Sequence, residues 1–182
     1  MNYTEYYATE SNMLTSQKKW IEWRHEMVGL IHCGECLSLH KCWFVYGKAP
    51  RPPLHDKCHC TAVVIPWQYV KNNVVATSAY SKYDPYLFDP KNFYRHGKNK
   101  LFESWGYTIK DAAWLQKEIE RQGRIQYFTG NYELGKRNMR GQRINIRITI
   151  PRKNGSGEVS FVTGWMVHPE GLITLNTPYG GQ

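Results

Sequence analysis

The most regular stretch of the chain is R-I-N-I-R-I-T-I at 143–150, where Ile144, Ile146, Ile148 and Ile150 alternate with Arg143, Asn145, Arg147 and Thr149. A period of two puts the isoleucines on one face of a strand and the polar residues on the other. The turn P-R-K-N-G-S-G, with its Asn154-Gly155 hairpin signal, predicts a return strand over 158–167. A second turn at His168–Gly171 leads to a further strand over 172–178. Upstream, H-G-K-N-K-L-F-E-S-W predicts a helix from His96 to Trp105, ended by Gly106. Thr108 and Asp111 make a capping-box-like start for a second helix through Arg121, with Gly123 as its stop. Ile125 to Tyr132 reads as a first, poorly patterned strand. Two helices followed by an antiparallel meander predict an α+β domain over 91–182.

The N-terminal third is patterned differently. Trp20, Trp23, Met27 and Leu30 recur at helical spacing, so a helix is expected from a Ser16 cap to about Gly29. T-A-V-V-I-P reads as a short strand stopped by Pro66. The stretch 67–90, rich in Asn, Ser, Tyr and Asp-Pro pairs, reads as a linker between a small module at 1–66 and the α+β domain.

That small module carries the densest chemistry. Residues 32–60 hold all five cysteines and four of the seven histidines. Cys33 and Cys36 are spaced C-x-x-C, which lets two thiolates chelate one ion from a tight turn. His55, Cys58 and Cys60 form H-x-x-C-x-C, a second group able to close a tetrahedral shell. Structural Zn2+ held by four of these five is the favoured reading, and disulfides or unmetallated buried thiols are the alternatives. Cys42 lies outside both groups and reads as a packed thiol. His32, His40 and His59 flank the ligands.

Composition narrows the class. The 182 residues include seven Trp and thirteen Tyr, enough for real cores. No apolar run reaches the ~18 residues of a membrane span, so no membrane partner is expected. The polar N-terminus M-N-Y-T-E-Y-Y-A-T-E has no signal-peptide apolar segment. Cytoplasmic action is therefore expected, with virion association or delivery by a dedicated injector left open. The net charge is +9, and its excess lies after residue 60. From Lys136 to Lys153 there are seven Lys/Arg and no acid. Such a stretch suits a polyanion, with a solvated strand face as the alternative.

Two resemblances follow from these motifs. Cys33, Cys36, Gly47, Pro52, Pro53, His55, Cys58 and Cys60, within residues 16–66, resemble the C-terminal motif of Mu F-type phage minor head proteins. Over 84–181, H-G-K-N-K-L-F-E-S-W-G-Y-T-I-K-D-A-A-W-L, G-Q-R-I-N-I-R-I, V-T-G-W and L-I-T-L-N-T-P-Y resemble toxin-type nuclease domains related to barnase, EndoU, colicin D and RelE (BECR-type). The second resemblance implies a ribonuclease that cleaves RNA, plausibly tRNA, by attack of the ribose 2′-OH on the adjacent phosphate, without a catalytic metal. It also implies an acidic immunity protein as partner, and the first implies phage head proteins.

Such chemistry needs a proton acceptor, a proton donor and cations for the phosphorane charge. His96 is the first choice for acid or base, with Lys98, Arg140, Thr163 and Thr177 completing the candidate catalytic set. Lys100, Arg143, Arg147, Thr174, Asn176 and Tyr179 are candidate substrate contacts. His168 reads as a turn residue, and Trp165 as core or base-stacking. Two other readings stand beside this one: a non-enzymatic, head-associated module that binds nucleic acid or protein, and an endonuclease whose cysteine and histidine cluster is itself the active centre.

Overall fold

A computed structural model of the chain describes residues 18–26, 33–88 and 97–178. These form an α+β structure with two sheets and four helices. The smaller sheet has the order β2-β1-β3, from β1 (Trp20–Arg24), β2 (Trp43–Val45) and β3 (Thr61–Ile65), all antiparallel. The larger has the order β4-β8-β7-β6-β5, from β4 (Val75–Thr77), β5 (Glu133–Asn138), β6 (Gly141–Pro151), β7 (Glu158–Val167) and β8 (Leu172–Thr177). The helices are α1 (Gly34–Leu37), α2 (Trp67–Asn73), α3 (Lys98–Ser104) and α4 (Ala112–Thr129).

Strand β6 follows its alternation: Ile144, Ile146, Ile148 and Ile150 are fully buried while Arg143, Asn145 and Arg147 are exposed. The buried face packs on α4, whose buried Leu115, Ile119, Gln122 and Gly123 recur at helical spacing. Beyond β5, the outer edge of β6 is covered by a side chain. Gln122 donates Nε2–H to the Thr149 carbonyl at 2.6 Å and accepts the Thr149 N–H at 3.0 Å. The amide thus stands in for a missing strand partner.

Four expectations change. The residues Trp20–Arg24 form a strand, not part of a helix from 16 to 29; residues 1–17 and 27–32 lie outside the described set. The second helix does not stop at Gly123 but runs to Thr129, so the strand expected at 125–132 is helical to Thr129 and β5 begins at Glu133. Its stop is Gly130, whose φ of 76° suits the left-handed cap. The stretch 67–90, read as linker, contains α2 and β4, and β4 pairs parallel to β8, so the meander gains a parallel edge.

The two sheets share a core. The Tyr127 hydroxyl donates to the Trp43 carbonyl, and the Val45 N–H donates to the Tyr132 oxygen at 3.1 Å. Trp20 meets Tyr127 edge-on with ring centres 5.3 Å apart. At the β7–β8 turn, Gly171 packs its backbone on the Trp43 ring, and a β-carbon there would come within 2.7 Å of it. The cysteine knuckle docks on the β5–β6 turn: Glu35 pairs with Arg137 at 3.0 Å, and Gly34 faces the Met139 side chain.

Candidate metal centre and basic sheet face

The knuckle gathers its ligands from two turns. The first is closed by Leu37 N–H to Cys33 carbonyl at 2.9 Å, which carries Cys33 and Cys36 to one side of α1. The second is closed by Cys58 N–H to His55 carbonyl at 3.2 Å, with Lys57 at φ 56° in the left-handed region. The ligand atoms of Cys33, Cys36 and His55 lie within 4.8 Å of one another, as do those of Cys36, Cys58 and Cys60. Cys36, buried, belongs to both groups, with Sγ 3.1 Å from His55 Nε2 and 3.7 Å from Cys58 Sγ. His55 Nδ1 lies 2.6 Å from the Asp56 carbonyl, so Nδ1–H donates there and Nε2 keeps its lone pair toward the sulfurs. That posture suits a metal ligand, and this cluster can bind a metal ion.

The thiols are not equivalent. Turn hydrogen bonds around Cys36 hold the Cys33 thiol below its ordinary value. For Cys58, burial acts against ionisation, but backbone bonds from Leu54 and Cys60 and neighbouring thiols bring it down to about 7. Burial pushes Cys36 and Cys60 up. Four thiols around one point ionise together only when a cation shares their charge, and sulfur-rich donors with one imidazole suit a tetrahedral ion. All five cysteines are free thiols, and Cys42 packs apart, its Sγ 3.6 Å from the Ser38 carbonyl. Sequence reasoning missed His25, whose Nδ1 lies 3.5 Å from Cys60 Sγ, because that residue fell inside the expected helix.

The second site is the outer face of the larger sheet. Register sets Asn145 opposite Gly164, and Gly164 opposite Thr177, in one row across β6, β7 and β8. The neighbouring row carries Arg143, Met166 and Thr174. At the β8 end of the first row, Lys98 donates to the Thr177 hydroxyl at 3.0 Å. One residue before it, the Asn176 carbonyl accepts from Lys82 at 2.9 Å. Burial holds the Lys82 ammonium below its ordinary value, and the Lys98 charge lowers it further. Arg143 and Arg147 form no ion pair with any described residue. One face therefore holds Lys98, Thr177, Asn145, Arg143 and Arg147 together. Lys82 was missed because no motif marks it; only the β8 end brings it beside Lys98.

Other expected residues lie elsewhere. Thr163 is fully buried on the isoleucine side, donating to the Ile146 carbonyl and accepting from Trp165 Nε1, so it cannot reach a substrate. Trp165 is fully buried as well, which ends its base-stacking role. Arg140 sits in the β5–β6 turn beside the knuckle, roughly 17 Å of strand from Asn145 at ~3.4 Å per residue. Lys100 is exposed on α3, without a described contact to the Arg-bearing face. Thr174 meets His168 Nε2 at 2.7 Å. His96 and Tyr179 lie outside the described residues. No described helix is long and apolar enough to cross a membrane. Compared with family models, with curated proteins and with solved structures, the chain matches none.

Proposed function

We propose that the protein is a ribonuclease of the BECR toxin type that cleaves RNA by transesterification, with a structural Zn2+ in its cysteine knuckle. The observation that carries the reading is Lys98 bound to Thr177 on the same sheet face as Arg143, Asn145 and Arg147. Guanidiniums that form no ion pair with any described residue, an ammonium and a hydroxyl on one face would make a phosphodiester cradle. In the proposed step His96, two residues before Lys98 in the chain, takes the 2′-OH proton. The 2′ oxygen bonds to phosphorus, the bond to the 5′ oxygen breaks, and that oxygen takes a proton from water as it leaves. Arg143, Arg147 and Lys98 offset the charge that gathers on the non-bridging oxygens.

The zinc would hold the knuckle closed, using four of Cys33, Cys36, His55, Cys58 and Cys60, and has no role in the cleavage. An acidic immunity protein would cover the basic face. Incubating total RNA with the purified protein tests the reading: cleavage persists in chelator and is lost in His96→Ala. A second reading is a non-enzymatic, phage head-associated module that binds nucleic acid. The placement of Thr163 and Arg140 away from Lys98 favours it, and intact but gel-shifted RNA at micromolar protein would establish it.

A further inference from the structure

The sheet row that ends at Lys98 opens, at its other end, into a groove of about 480 Å³ between the two sheets. Asn145 and Arg147 of β6 line it, together with Lys18, Tyr46 and Lys48. The lining therefore carries three cations, and Glu133 is its acid. Tyr46 is 62% exposed. Its backbone is pinned: the Tyr46 N–H donates to the Lys19 carbonyl at 2.8 Å, and the preceding Val45 N–H is held by Tyr132. The Lys19 ammonium lies 4.4 Å from the ring centre, so one side of the ring already carries a cation. A fixed, exposed aromatic flanked by lysines is the arrangement that stacks an unpaired base and holds its phosphates.

The groove is also continuous with the proposed cleavage point. Asn145 belongs to both, and the next position in its row, Gly164, has no side chain. The trough therefore crosses bare backbone until it reaches Thr177, whose methyl group would meet a Gly164 β-carbon at 3.1 Å. From β5 to β8 the distance is about 14 Å, three strand spacings of ~4.8 Å.

We propose that this groove is a subsite for a single-stranded RNA segment adjoining the scissile bond, with Tyr46 stacking on a base and Lys18 and Lys48 taking phosphates. The inference rests on the ribonuclease reading for the identity of its ligand. A duplex is excluded because its bases hide their faces in the helical stack, whereas a single strand can offer one to Tyr46.

The test uses a fluorescent 2′-O-methyl oligoribonucleotide, which cannot supply the attacking hydroxyl, as a single strand and annealed to its complement. Anisotropy titrations should show that Tyr46→Ala weakens single-strand binding by about 5- to 150-fold, the range for loss of one stacked base. Tyr46→Phe should bind as the parent does, and Lys48→Ala should lower the salt dependence. Parent-like binding by Tyr46→Ala, an equal loss in Tyr46→Phe, or duplex bound as tightly as single strand would each overturn the subsite. Cleavage of the unmodified strand is scored separately. Tyr46-dependent binding without cleavage keeps the groove and removes the ribonuclease. Cleavage that Tyr46→Ala leaves unchanged on long and short RNA keeps the ribonuclease and removes the groove.

Discussion

Trp165 lies so close to Gly123 that a β-carbon on the glycine would stand 2.5 Å from the indole Cζ2. The indole cannot retreat easily, because its Nε1 donates to Thr163 at 2.7 Å in a fully buried setting. Gly123→Ala should gain about 1 kcal/mol of helix propensity and lose ~1–3 kcal/mol to overpacking. We expect the loss to prevail by roughly 1 kcal/mol, read as a lower urea midpoint at unchanged m-value. Gly155→Ala, with open space around its β-carbon, is the control and should leave the midpoint in place. A midpoint raised by Gly123→Ala would mean that the helix and sheet are not packed this tightly.

The knuckle predicts a rank order of thiol reactivity. In metal-free protein, Cys33 and Cys58, whose thiols are held low, should react with iodoacetamide before Cys36 and Cys42, which burial holds high. The Cys58 rate should fall as pH drops through about 7. Added Zn2+ should protect the cluster and leave the slow Cys42 unchanged. Cys36→Ser combined with Cys58→Ser, which leaves only three of the five ligands, should abolish stoichiometric metal uptake, and Cys42→Ser should keep it. Full metal content in the double variant would rule out this centre.

His168 supplies a pH dependence of stability. Burial holds its imidazole below the ordinary value, so the unfolded chain binds the proton more readily than the folded one. Its contribution is therefore fully present above about 6.5, the unfolded value, and is lost as pH falls through the folded value. Urea unfolding between neutral and mildly acidic pH should show a shallower decline in His168→Gln than in the parent. The glutamine amide can keep the bond to Thr174, so the difference isolates the titration. Parallel declines in the two proteins would assign the acid sensitivity to other groups.

What could be read from the residues, and what could not, follows from how many faces each element buries. Strand β6 buries one face, so Ile144 to Ile150 alternate cleanly and its register could be read in advance. Strand β1 buries both. Trp20 packs on Tyr127 and Phe128, and Trp23, fully buried on the opposite face, lies beside Cys60. Two tryptophans three residues apart on opposite faces of a strand imitate the i, i+3 spacing of a helix. Gly123 misled for a related reason, since a glycine demanded by packing looks in sequence like a glycine demanded by a cap. The cysteine spacing was legible because chelation is local. The Lys82–Lys98 pair was not, since residues 16 apart in the chain meet only through the end of β8.

The final prediction concerns that pair and the Arg-bearing face as a phosphate cradle. Lys98 serves two purposes in the proposed site: its ammonium orients the Thr177 hydroxyl and supplies positive charge beside Lys82. Thr177→Val removes the hydroxyl and keeps the charge, so it should lower cleavage less than Lys98→Ala. Lys98→Arg keeps the charge but replaces a point donor with a planar fork, and should restore binding more fully than cleavage. Arg147→Ala should weaken RNA binding similarly for unrelated sequences and reduce the salt slope by about 0.7, the value of one phosphate contact on a single strand. Arg140→Ala, in the distant turn, should change neither cleavage nor slope, which separates the face from the overall +9 charge. If Arg140→Ala and Arg147→Ala lowered binding equally, the protein would be attracting RNA by net charge alone, and the cradle would have no special place in its chemistry.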